Sequence, residues 1–340
     1  MRRAWRRAMS IYLALCFALA LAPIYSRLAL AQTKPPLPKA APTQPANPLA
    51  IPNAAPPASN VDIAYGAFQR GFYVTAFNEA AKRAQQKDPQ AMTLLGELYA
   101  EGLGVSRDDS KAAQWYKQAA ALGDRNAMFA LAMFDFEGRA GARNSDEGAR
   151  LLDGAAKLGH PAAAYDLGLL YLQGRQFPQD MKRAAELFGD AAAAGNSEAQ
   201  YALATMYKEG RGVPKDPQEA MRLMGRASVA GNVDAMVEFA IAQFNGDGVA
   251  KDETEAARLF LIAARRGSAI AADRLARILM AGRGMPANPT EAVKWHIIAK
   301  AGGGSDPELD AFAAKQTQAV RDGADAAAKK WLSTVVALRP

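Results

Sequence analysis

The chain has 340 residues, half of them hydrophobic, and a net charge of +7, but residues 1–31 hold five arginines and no acid, so the remainder carries only +2. A remainder so close to neutral lacks the basic face that nucleic-acid binding requires. The single cysteine, Cys16, excludes a disulfide framework.

Met1 to Ala31 reads as a secretory signal. Arg2, Arg3, Arg6 and Arg7 form a charged n-region, Ile11 to Ala22 an apolar core, and Ala29-Leu30-Ala31 a small-x-small cleavage site before Gln32. Arg27 interrupts the apolar run, which argues against a retained spanning helix. Cys16 follows Leu15 rather than a small residue, which argues against a lipid anchor. The expected location is therefore the periplasm or the exterior, with no membrane span after cleavage. Residues 32–60 carry nine prolines among alanines and cannot bury a core; they read as a semi-extended linker.

Residues 61–87 resemble a degraded helical pair. Ala64, Phe68, Ala76, Phe77, Ala80 and Ala84 would cover the open end of the array that follows. From there the chain is periodic: Ala91, Ala127, Ala163, Ala199, Ala235 and Ala271 lie 36 residues apart without a slip. A fixed period of this length is the signature of stacked units. In each unit, apolar residues at i, i+4, i+7 and i+8 (Ala199, Leu203, Met206, Tyr207) predict a first helix with one buried face. Glycine ends it at positions 102, 138, 174, 210, 246 and 282. A second helix begins after Asp108, Asn144, Asp180, Asp216, Asp252 or Asn288, whose short side chains accept from the orphan amides of a first turn. Three residues on, Glu147, Glu219, Glu255 and Glu291 are placed to complete capping boxes. Alanines at 119, 155, 191, 227, 263 and 299 allow close helix packing, and glycine follows four residues later in every copy.

After Gly302-Gly303-Gly304 the period breaks. Ser305 and Pro307 open a more polar helix running through Leu309, Phe312, Val320, Ala324 and Trp331, read as a C-terminal cap over 304–340, with Gly323 as a place where it could kink.

The string A-x3-L-G-x2-Y-x2-G-x-G-V-x2-D-x3-A-x2-W/L-Y/F-x2-A-A-x2-G resembles the Sel1-like repeat, a longer relative of the tetratricopeptide repeat, and covers residues 88–303 in six copies. Copies two and three depart from it in the loop (Ala140 and Gly141; Gln176 and Phe177), where a different course is expected. The resemblance implies an all-α, right-handed α/α superhelical solenoid with a protein-binding role and no cofactor. Some exported members of that family are cysteine-stapled and are described as binding or cleaving β-lactams; this chain lacks those cysteines.

No metal-ligand cluster, phosphate-cradling loop or nucleophile–base grouping is apparent, and His160 and His296 sit at repeat positions that read as structural. The expected function is a non-enzymatic adaptor that holds a peptide or helix of an envelope or signalling protein. The alternative is a protein that binds or hydrolyses cell-wall material. A groove would be lined by residues offset from the packing stripe of the first helices: Phe129, Met133 and Phe136; Tyr165, Leu169 and Leu172; Tyr201; Val237, Ile241 and Phe244.

Overall fold

The computed structural model describes the backbone of residues 62–337 and the side chains as far as 334; the expected signal and linker lie outside the described residues. Every regular element among the described residues is a helix. Two helices precede the periodic region, α1 (Ile63–Gln69) and α2 (Tyr73–Gln85). The six periodic pairs are α3 (Pro89–Glu101) with α4 (Asp109–Ala121), α5 (Arg125–Glu137) with α6 (Ser145–Lys157), α7 (Pro161–Gln173) with α8 (Met181–Ala193), α9 (Ser197–Glu209) with α10 (Pro217–Val229), α11 (Val233–Asn245) with α12 (Glu253–Arg265), and α13 (Ala269–Ala281) with α14 (Pro289–Ala301). Two more close the chain, α15 (Pro307–Ala314) and α16 (Gln318–Ala337).

The described residues form two compact units, 62–122 with 130–144, and 123–129 with 145–337. In the first, α1 packs on α2, α2 on α3 and α3 on α4. In the second, each helix from α6 to α14 packs on the next one in the chain, and α16 lies along α14. Packing of sequence neighbours on one another is how a solenoid of helical hairpins is held together.

The helix boundaries follow from local chemistry. Asp108, Asp180 and Asp252 each accept a hydrogen bond at 2.9 Å from the amide three residues ahead. Asp216 accepts from Gln218 and Glu219, and Asn288 from Glu291. First helices start the same way after Asp88, Asp124, Asn196, Asn232 and Ser268. At their far ends, Gly102, Gly174, Gly210, Gly246 and Gly282 are left-handed caps.

The capping boxes expected at Glu219, Glu255 and Glu291 do not form. Each cap residue's own N–H is already taken by a carbonyl nine residues back: Asp216 donates to Tyr207, Asp252 to Gln243 and Asn288 to Leu279, all at 2.9 Å. With that donor satisfied, Glu219 turns to Arg222, Glu255 to Arg258, and Glu291 to Lys294 and the Trp295 indole. The same backbone closure joins Asn144 to Asp135 and Asp180 to Tyr171, so the loops of copies two and three keep the common closure despite their altered sequences. In copy three, Phe177 stacks on Tyr171 with ring centroids 4.9 Å apart.

The core is built from the periodic alanines and larger side chains of both helices in each copy. The marker alanines are at most 2% exposed. Phe188 and Phe260, from second helices, are fully buried. A Cβ at Gly168 would lie 2.6 Å from the Phe188 ring, so glycine on the first helix is what admits the aromatic. The stacked units are joined through their loops. Gly212 lies against the first residue of α8, and Arg211 reaches the Met181 sulfur there. Arg283 pairs with Glu253 at the start of α12, and Arg139 with Asp109 at the start of α4.

The C-terminal segment differs from expectation in two ways. Asp306, not Ser305, caps α15, accepting from Glu308 and Leu309. The break falls at residues 315–317, not at Gly323, which lies inside α16. Thr317 supplies the new helix start, and Arg321 reaches back to the carbonyls of Ala314 and Gln316.

Candidate functional site

The first helices present the residues expected to line a groove, but to different degrees. In the first unit, Met133 and Phe136 are 3% and 5% exposed and belong to the interior. Val237, in the second unit, is likewise 5% exposed. Phe129, Tyr165, Leu169, Leu172, Tyr201, Ile241 and Phe244, all in the second unit, are half-buried. Phe129 stacks on the His160 imidazole, with centroids 4.5 Å apart. Tyr165 tilts against Phe188 at 5.6 Å, and Leu169, Leu172 and Tyr201 flank the same cluster.

Ile241 and Phe244 line a common cavity of about 360 Å³. Its apolar lining continues with Phe260, Ile278 and Met280, and three arginines, Arg274, Arg277 and Arg283, stand around it. These arginines were not among the residues expected from sequence. Copy six lacks an apolar triplet at the offset positions, having Asp273, Arg277 and Met280 instead. For Arg277 that break in the pattern is the available signal in the sequence; Arg274 and Arg283 lie outside it.

The electrostatics around the cavity are uneven. Arg277 binds Asp306 and Glu308 at 2.6 Å each. Burial acts against its charge, but the hydrogen bond to Glu308 and the attraction of both carboxylates outweigh it and raise its pKa. Arg283 pairs with Glu253, which Lys251 also contacts, and these bonds hold the Glu253 carboxyl down at about 2. The Arg283 guanidinium also lies 4.4 Å from the centre of the Phe244 ring, a cation–π contact. Arg274 is exposed and makes no salt bridge among the described residues.

Both histidines are built into the scaffold. His160 Nδ1 accepts from the Ala163 N–H at 3.1 Å, an N-cap made by an imidazole. His296, 3% exposed, takes the position of Tyr116, Phe188 and Phe260 in other copies, and its Nε2 lies 2.8 Å from Asp310. Among the described residues there is no group of three or more His, Cys, Asp or Glu side chains able to hold a metal ion. No described helix is long and apolar enough to cross a membrane.

The model of the Sel1 repeat matches residues 89–124, 125–160, 161–196, 197–232, 233–268 and 269–304, more than half of the chain. The chain belongs to the Sel1 repeat family. Its solved relatives include a Sel1 repeat protein from Oxalobacter formigenes, 27% identical, which covers 69% of this chain and 94% of its own, with a TM-score of 0.60. Another is c5321, a protective antigen of uropathogenic Escherichia coli with an SLR fold; it is 24% identical over 77% of this chain and 64% of its own, with a TM-score of 0.52, and shows the fold alone. No curated protein matches the chain. Sel1 repeat proteins are generally non-catalytic scaffolds for protein–protein interaction.

Proposed function

We propose that this Sel1 repeat protein is a non-enzymatic scaffold of the periplasm that holds a peptide or helix of an envelope or signalling protein against the first helices of its second unit. One observation carries the reading: half-buried apolar side chains recur at the offset positions of α7 and α11, with Tyr201 alone between them on α9, and end at an open cavity beside Ile241 and Phe244. Each of these side chains rests on the core with one side, and the apolar surface it leaves accessible at a repeated position is a docking feature, because the packing of the chain consumes only part of it. The exported location rests on the charged, apolar and small-residue segments of residues 1–31.

A photo-crosslinking amino acid placed in living cells at Leu169, Tyr201 or Ile241, and as controls at Glu186 or Arg222 on second helices, tests the scaffold. A discrete crosslinked partner from the first-helix positions only is expected. Equal crosslinking from both helix sets, or none from the first helices, overturns the reading. Recovery of the protein from the periplasmic fraction with Gln32 at its N-terminus tests export, and a chain retained in the cytoplasm with Met1 intact refutes it.

A further inference from the structure

We propose that the cavity between α11 and α13 takes an acidic segment of the partner protein in which a large apolar side chain stands beside a side-chain carboxylate. This rests on the scaffold reading and names the chemistry of what is held. The repeats themselves show what is different at the cavity. One step earlier in the array, Tyr201, Lys208 and Glu238 occupy the positions that Val237, Phe244 and Arg274 hold here. There the Glu238 carboxylate accepts from the Tyr201 hydroxyl at 2.8 Å and from Lys208 at 2.7 Å, a network that ties the two first helices together. Replacing that triad with a valine, a phenylalanine and an arginine removes every member of the network. What remains is an open recess of about 360 Å³ whose wall mixes apolar side chains with Asn245, Glu308 and the three arginines, within the size range of sites that enclose small groups.

Charge selects the occupant. Arg277 is engaged by Asp306 and Glu308, and Arg283 by Glu253. Arg274, one repeat on from Glu238, lines the same cavity with no salt bridge among the described residues, its charge acting on the adjacent Asp273, which Arg277 also faces. An apolar side chain in the recess would bring its neighbouring carboxylate to this guanidinium, a charge-assisted pairing that arginine's planar fork suits. The chain's own residues 1–60 are the wrong occupant, since they contain seven Arg and Lys and no acid.

The test uses the protein as purified from its native cells and a fluorescein-labelled, C-terminally amidated peptide carrying Glu-Phe-Asp-Leu-Glu between Gly-Ser flanks, read by anisotropy. Binding should weaken from about 50 to about 500 mM salt, and should be lost when the acids become Lys or the Phe and Leu become Ser. Arg274→Glu should weaken it about tenfold or more and transfer preference to the Lys peptide, with an unchanged thermal melt because Arg274 is exposed. Undiminished binding to Arg274→Glu, or equal binding of the Lys peptide, overturns the proposal. So does selective binding of a peptide whose only carboxylate is its free C-terminus, or equal binding of a single-stranded oligonucleotide. Crosslinks at Leu169 and Tyr201 with no effect of Arg274→Glu on partner capture would sink the cavity and leave the scaffold standing. Loss of all first-helix crosslinks would sink the scaffold itself.

Discussion

The imidazole of His160 lies flat against the phenyl ring of Phe129, centroids 4.5 Å apart and planes 20° from parallel, while its Nδ1 accepts the Ala163 amide. An N-cap at this junction is normally a short oxygen-bearing side chain. Here it is a titratable ring that must stay neutral to accept. Burial lowers its pKa below 6.5, and the nearby Arg125 charge lowers it further, against an opposing pull from Asp124.

The consequence is a pH dependence with a defined sign. The unfolded chain binds the proton more readily than the native one, so the His160 contribution is fully present above about pH 6.5 and is lost as pH falls through the depressed folded value. Urea unfolding of the native chain should therefore show a midpoint that drops on acidification. His160→Asn keeps a cap acceptor without a titrating ring and should flatten that drop. Parallel pH profiles for the two proteins would show the role is misassigned.

Two glycines with similar backbones should respond differently to substitution. Gly195 has φ +90° and nothing within 4 Å of an added Cβ, whereas Gly212 has φ +72° and would place a Cβ 2.3 Å from the Met181 carbonyl oxygen. Gly195→Ala should cost only the left-handed strain, about 1–2 kcal/mol. Gly212→Ala should cost more, because backbone at the start of α8 must move as well. Urea midpoints measure both, and equal losses would mean that the loop yields without cost.

The period, the helix boundaries and the capping residues were legible because each depends on neighbours within one or two turns. The capping boxes at Glu219, Glu255 and Glu291 were misread for the same reason. What decides them is a carbonyl nine residues upstream, on the preceding helix. The groove was legible only as a pattern: the i, i+4, i+7 spacing placed Phe136 and Phe244 alike, yet one is interior and the other borders a cavity. The place of Arg274 is not legible in the sequence, because it depends on a Tyr201–Glu238–Lys208 network that the preceding repeat pair forms and this one lacks, a difference visible only once the helices are packed.

Glu97, on α3, is a half-buried carboxylate whose pKa is raised, first by burial and then by the charge of Glu101. A raised acid binds its proton more tightly in the native state, so stability is lost as pH rises from the ordinary glutamate range through the folded value. Glu97→Gln should raise the melting temperature at neutral pH and leave it nearly unchanged at about pH 4. A gain of equal size at both pH values would assign the effect to packing rather than charge.

Phe136 and Phe244 hold the same repeat position three copies apart, and their replacements should fail in different ways. Phe136 is 5% exposed, so Phe136→Ala should open an interior cavity and cost about 3–5 kcal/mol. Phe244 is half-buried, capped by the Arg283 guanidinium and open to the cavity beside Ile241. Truncating it exposes less new apolar surface, and the cost should be nearer about 1–2 kcal/mol. Partner capture should show the reverse order. Phe244→Ala should lose crosslinking at Ile241 at temperatures where the protein is still fully helical, because the recess loses a wall. Phe136→Ala should keep crosslinking until its helical signal melts. Circular dichroism run beside the crosslinking assay separates the two, and a Phe244→Ala variant that melts as early as Phe136→Ala would place Phe244 in the core rather than in the site.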